Sequence, residues 1–182
     1  MSDFSNLAGE PAKATSAYVS NLLALLGDRD PLAVQGELVA ALERLTGGMD
    51  DAALRRPEAP GKWSVIEVVQ HLADSEIVSG YRLRTSLADR EPHIQGYDQD
   101  RWVSELRYAA ADLAEAMAQL APLRHANLRL LGSLDEERFE RFGRHSERGQ
   151  ESVRRLTQLI AAHDLVHRRQ IERIKRAIGA AA

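Results

Sequence analysis

Apolar residues recur along this chain with a helical period in five stretches. From Lys13 to Leu26, the residues Tyr18, Val19, Leu22, Leu23 and Leu26 share a face, and Gly27 ends the run. Asp30-Pro31 opens a second stretch, a capping residue followed by proline in the first turn. It carries Leu32, Leu38, Val39, Leu42 and Leu45 and stops at Gly47-Gly48. Residues 49–62 read as a connector punctuated by Pro57, Pro60 and Gly61. Ser64, after Trp63, is a good N-cap, and Glu67 completes a capping-box pattern. The helix begun there is predicted to reach about Arg90, ahead of Pro92. A polar loop, PHIQGYDQD, leads to Trp102. Helical spacing returns from about Tyr108 to Leu131, with a kink expected at Pro122. After a charged, glycine-bearing connector (132–149), the last helix is predicted from about Gln150 to Ile178, ending at Gly179. At ~1.5 Å per residue that helix is roughly 44 Å long.

No sustained period-2 run and no Asn-Gly or Asp-Gly hairpin competes, so no strand is predicted. The pattern implies an all-α fold, a four-helix bundle with an extra N-terminal helix (13–26) packed outside it or across one end. Residues 1–12 read as a mobile lead-in and 13–182 as a single domain. No internal repeat is visible.

Composition narrows the function classes. With 44% apolar and 28% charged residues over 182 positions, the chain is an ordinary globular one with enough length for a substantial core. A net charge of −3 gives no global reason to expect nucleic-acid binding. The one basic concentration (Arg168, Arg169, Arg173, Lys175, Arg176) lies in the last turns of a helix, where cations complement the dipole. The absence of cysteine excludes disulfides, thiolate zinc sites and a cysteine nucleophile. No run approaches the ~18 apolar residues of a membrane span, and MSDFSNLAGEPAKATS lacks a secretory pattern, so a cytoplasmic location is expected.

The histidines carry the chemistry. The apolar stripe of the last helix reads Leu156, Ile160, His163, His167, Ile171, Ile174 and Ile178, at steps that keep all seven on one face. Two imidazoles therefore point at the core, where each would cost on the order of 1–3 kcal/mol without a partner. An i, i+4 histidine pair can share a metal ion, although the spacing alone is weak evidence. His71, in WSVIEVVQHLADSE, borders the stripe of Val65, Val68, Val69 and Leu72 and can supply a third imidazole. Its other reading, a half-buried residue hydrogen-bonded to a neighbour, stays open. Three neutral imidazoles suit Zn, Ni, Fe or Cu rather than Mg or Ca, and leave coordination positions open. Glu67, Ser75 and Asp164 are candidates to accept the histidines' other N–H groups. Each has an ordinary alternative, Glu67 in the capping box and Asp164 paired with Arg168. His93 is read as a surface residue able to line a pocket mouth, His125 as solvent-facing, and His145 as a loop histidine, able to approach the site but more simply solvated.

The segments KWSVIEVVQHLADSE (62–76), YRLRTSLADREP (81–92), GYDQDRW (96–102) and AAHDLVHRRQIERI (161–174) resemble, in order and spacing, the DinB-like superfamily of small helical proteins, also called the DinB/YfiT-like metalloenzymes. The resemblance covers about Leu22 to Ile174. It implies an up-down-down-up four-helix bundle, metal ligands at His71, His163 and His167, and a homodimer. It also implies a divalent transition metal (Zn, Ni or Fe) as cofactor. Relatives of this kind include metal-dependent transferases and isomerases that use a low-molecular-weight thiol such as bacillithiol, mycothiol or glutathione. The leading expectation is thus a thiol S-transferase in detoxification or stress response, acting on a small molecule. Arg82 and Arg84 are candidate cations for the thiol's carboxylates, with surface salt bridges as their plainer reading. A hydrolase using metal-activated water, or a non-catalytic stress-induced bundle, are the alternatives.

Overall fold

The computed structural model describes residues 12–180. The expected lead-in lies outside the described residues apart from Ala12, which opens the first helix. That helix, α1 (Ala12–Leu26), is followed by α2 (Pro31–Gly36), α3 (Leu38–Thr46), α4 (Asp51–Arg55) and α5 (Val65–Ala88). The strand β1 (His93–Ile94), α6 (Gln99–Glu105) and a single 3-10 turn (Tyr108–Ala110) lead to α7 (Leu113–Leu131). After α8 (Glu136–Phe139), the strands β2 (Phe142–His145) and β3 (Gly149–Ser152) run into α9 (Val153–Ile178).

The bundle consists of α2–α3, α5, α7 and α9, and side-chain pairings fix its directions. Gln70 and Asp74 meet Gln119 while Glu76 meets Arg124 and Asn127, so α5 and α7 run parallel. Leu83 and Leu87 share a cluster with Val153 and Leu156, whereas Ile66 and Val69 share one with Ile171 and Ile174, so α9 opposes α5. Gln35 meets Thr157, and Leu38 and Leu42 join the Ile171–Ile174 cluster, so α2–α3 runs with α9. The order is up-down-down-up. Helix α1 packs outside, with Leu22 and Leu26 in one apolar cluster with Leu159, Ala162 and Leu165 of α9.

Three sequence expectations need correction. The helix expected from Asp30 to Gly47 is broken at Glu37. The interruption falls beside Gly36, a poor helix former, where the Gln35 carbonyl accepts a hydrogen bond from the Arg124 guanidinium at 3.0 Å. Strands do form: β1 pairs in parallel with β2, which pairs antiparallel with β3. They are too short to display a period-2 alternation. Gly143 permits their close packing, since a Cβ there would stand 2.5 Å from Ile94 Cδ1. Finally, α9 starts at Val153 rather than Gln150, because Ser152 ends β3 and caps the helix through Oγ, 3.1 Å from the Arg155 amide. Helix α7 continues through Pro122.

One buried cation ties the bundle together. Arg124, 3% exposed, donates to Glu76 of α5 at 2.9 Å, to both carboxylate oxygens of Asp164 of α9 (2.5 and 3.1 Å) and to the Gln35 carbonyl of α2. Asn127, one turn on, donates to Glu76 Oε1 at 2.7 Å and accepts from Arg84 at 2.6 Å. Gly80 makes room for it, for a Cβ there would lie 2.9 Å from the Asn127 amide. Burial opposes the Arg124 charge, but Asp164 and then Glu76 outweigh it and hold the guanidinium above its ordinary pKa.

Replacing Arg124 with Leu leaves two carboxylates buried without a counter-ion. The expected loss is about 3–5 kcal/mol in urea unfolding at pH 7. A loss below about 1 kcal/mol, the range of a surface ion pair, contradicts this account of the core.

Candidate metal centre

The capping box of α5 sets the register of the first imidazole. The backbone N–H and the hydroxyl of Ser64 both donate to Glu67 Oε2, each at 2.7 Å, so Glu67 is committed to the helix start rather than to His71. One turn after Glu67, His71 is 1% exposed. Trp63, just before the cap, stacks on His167 with ring planes 6° apart and packs against His71 at 5.0 Å between centroids.

The structure brings His71, His163 and His167 together. His163 Nε2 lies 3.1 Å from His71 Nε2 and 3.0 Å from His167 Nε2, and the three donor atoms all fall within 4.8 Å of one another. The half-buried reading of His71 gives way to full burial beside the other two rings. His167 Nδ1 lies 2.8 Å from Gln170 Oε1, an oxygen that can only accept, so Nδ1 carries the proton and Nε2 offers its lone pair.

The imidazoles are held neutral. Burial, followed by the charge of His167, lowers His71 well below 6.5. Burial and both neighbouring rings do the same to His163. His167 is pushed down to about 4 by burial, against the opposing pull of its bond to Gln170. Without a cation this packing is frustrated. A proton on His163 Nε2 can serve one neighbour well, and the other contact then sets acceptor against acceptor. A soft divalent ion among three converging lone pairs removes that conflict, so the donor set fits a transition metal.

The remaining candidates fall out differently. Ser75 Oγ lies 3.4 Å from His71 Nε2, the nitrogen that faces the other rings, and 2.9 Å from the Tyr97 hydroxyl. It therefore does not accept from the far side of the His71 ring. Asp164 pairs with Arg124 across the bundle rather than with Arg168, which donates to Glu37 at 3.2 Å. His93 and His125 are exposed. His145 is buried in β2, with Nδ1 accepting from the Glu147 amide at 3.1 Å and Nε2 lacking a partner among the described residues. It is not the solvated loop histidine expected, because the sheet encloses it. Burial, with Arg148 and Arg82 nearby, pushes it down to about 3.

A cavity with about 870 Å³ of empty space, its mouth included, opens beside His163 and Ser75. Tyr97 lines it, as do the apolar residues Leu22, Leu156 and Ile160. On the opposite side, His167, Gln170 and Trp63 border a separate open cleft.

The up-down-down-up arrangement places the chain among the four-helix-bundle proteins, and sequence comparison names its family. The family model of the DinB superfamily matches residues 35–171, so the chain belongs to that superfamily. It is 37% identical over 106 residues to "Putative metal-dependent hydrolase YfiT" of Bacillus subtilis (strain 168), covering 58% of this chain and 59% of that protein. The match thus spans less than two thirds of the relative's length. It is also 27% identical over 140 residues to "Putative metal-dependent hydrolase" of Bacillus cereus (strain 03BB102), covering 77% of this chain and 80% of that one. The solved structure of YfiT, described as "a probable metal-dependent hydrolase with an unusual four-helix bundle topology", superposes with a TM-score of 0.78 at 29% identity. That superposition covers 83% of this chain and 87% of YfiT.

The folded pKa of His167 lies below 6.5, so between pH 6.5 and about 4 the unfolded chain binds a proton that the folded chain refuses. Stability of the metal-free protein therefore falls as pH drops through that window. In NMR titration of the metal-free protein, the His167 imidazole is expected to titrate near pH 4. A midpoint at or above 6.5 contradicts the desolvated site.

Proposed function

We propose that His71, His163 and His167 hold one divalent transition metal (zinc, nickel or iron), and that the protein conjugates a low-molecular-weight thiol of the bacillithiol, mycothiol or glutathione type to an electrophile. The observation that carries this reading is the convergence of three neutral imidazole nitrogens beside a cavity with one apolar wall. A bound ion would act as a Lewis acid, lowering the pKa of an incoming thiol so that it is nucleophilic at neutral pH. The chain has no cysteine, so the sulfur arrives with the co-substrate.

Each protein group has a definable part. The hydrogen bond from His167 Nδ1 to Gln170 fixes one ring and its tautomer. Trp63 packs on the backs of two rings and keeps them from turning. Arg124 sets the separation of α5 from α9, and with it that of His71 from His163. Tyr97 and Ser75 bring hydroxyls to the cavity side of the site, where they can donate to a polar group of the electrophile.

Hydrolysis is the second reading, favoured by the printed names of the relatives. Hydrolysis by water calls for a general base. Glu76 and Asp164, the carboxylates bordering the cavity among the described residues, are both tied to Arg124, which favours thiol transfer. A homodimer, a cytoplasmic location and a role in stress response belong to the same proposal. Among the described residues no helix is long and apolar enough to cross a membrane.

Elemental analysis of freshly purified protein is expected to find about one transition-metal ion per chain, retained in His125→Ala and lost in His71→Ala and His163→Ala. Metal retained in the latter two contradicts the site. With monobromobimane as electrophile, the metal-loaded protein is expected to form product only with added thiol and to lose that activity on chelation. Thiol-independent hydrolysis of a p-nitrophenyl ester, with no thiol conjugation, favours the second reading instead.

A further inference from the structure

The wall of the cavity contributed by α5 extends well beyond the histidines. Ser75, Ser79 and Arg82 follow His71 at steps of four, four and three, and all three line the cavity. This keeps them on the helix face that carries His71. At ~1.5 Å per residue, the Arg82 backbone stands roughly 16 Å along the helix from that of His71.

The charges around this cavity are distributed unevenly. Arg124 is bound by both Glu76 and Asp164. Arg148 is neutralised by a two-pronged bond to Glu151, at 2.6 and 2.9 Å. Arg82 differs from both. It donates to the Gln95 carbonyl at 2.7 Å and lies 5.8 Å from the centroid of the Tyr97 ring, but pairs with no carboxylate among the described residues. Glu147 and Glu151 are near enough to favour its charge without bonding it. Burial and Arg148 outweigh them, holding Arg82 below its ordinary pKa. The expectation of a surface salt bridge for this residue does not hold.

We propose that Arg82 is the anchor for a carboxylate of the thiol co-substrate, within the cavity that opens beside His163. The inference rests on the thiol-transfer reading and makes it more specific. The co-substrate is a small molecule with its thiol at one end, a carboxylate at the other, and a body that tolerates the apolar wall of Val19, Leu22, Leu156 and Ile160. A carboxylate arriving at Arg82 makes a charge-assisted hydrogen bond and offsets both the burial and the repulsion from Arg148. Arg84, the other candidate cation, is occupied by the Gly80 carbonyl and Asn127 and does not line the cavity.

A pair of ruler compounds tests this: 8-mercaptooctanoate and its amide, titrated calorimetrically into zinc-loaded protein. Wild type is expected to bind the acid about tenfold or more tightly than the amide. Arg82→Gln should bring the acid down to the affinity of the amide without weakening the amide, and Arg82→Lys should keep part of the preference. Equal binding of acid and amide by wild type overturns the proposal, as does a preference that survives in Arg82→Gln. Octanoate, which has the carboxylate but no thiol, separates this result from the parent reading. If octanoate binds as tightly as the mercapto acid and depends equally on Arg82, the anchor stands and the thiol co-substrate falls. If both thiols outbind octanoate with no acid preference, the thiol stands and the anchor falls.

Discussion

Three neutral imidazole rings crowded together between two helices set the terms for everything around them. Neutral rings cannot all satisfy one another at such separations, so the arrangement exists only because the surrounding helices hold it. Those helices are held in turn by Arg124, whose guanidinium reaches three other bundle helices at once. Removing either side of that charge cluster from a dry interior is far costlier than losing a surface pair. The same cluster reaches α2 at the Gln35 carbonyl, beside the interruption of α2–α3 at Glu37. Scaffold and candidate chemistry thus share one set of ionic contacts.

The site is also asymmetric. On one side the rings are backed by Trp63 and Gln170 against an open cleft. On the other, His163, Ser75 and Tyr97 meet a more confined cavity that has one apolar wall and is also lined by Arg82, which bonds no carboxylate among the described residues. Groups that orient the rings lie behind them, and groups suited to bind a small molecule lie in front. This division follows from helix geometry. Positions 63, 167 and 170 border one cavity, while positions 75, 79 and 82 of α5 border the other.

Much of this was legible in the chain itself where the signal is periodic and local. The Leu/Ile stripe of α9 put His163 and His167 on the core face, and Ser64 with Glu67 marked the start of α5 to within a residue. What escaped was long-range or brief. Arg124 sits among His125, Asn127 and Arg129, a stretch that reads as a solvated face, and nothing local reveals that its partners lie 40 and 48 residues away. Asp164 has Arg168 one turn on, a plausible neighbour that loses to the buried guanidinium. Strands of two to four residues offer no alternation to detect, so nothing local marks His145 as enclosed by a sheet. Gln170, at i+3 from His167, was within reach of helical spacing arguments, but polar residues at that offset are common on solvated faces.

The most direct test of the central claim is X-ray absorption spectroscopy at the edge of whatever transition metal purifies with the protein. The account expects three nitrogen scatterers at ~2.0–2.1 Å, with the outer-shell features of imidazole rings, and a shell that changes when thiol is added. A shell made only of oxygen, without imidazole features, would mean that the ion is held elsewhere and that the three histidines do not bind it.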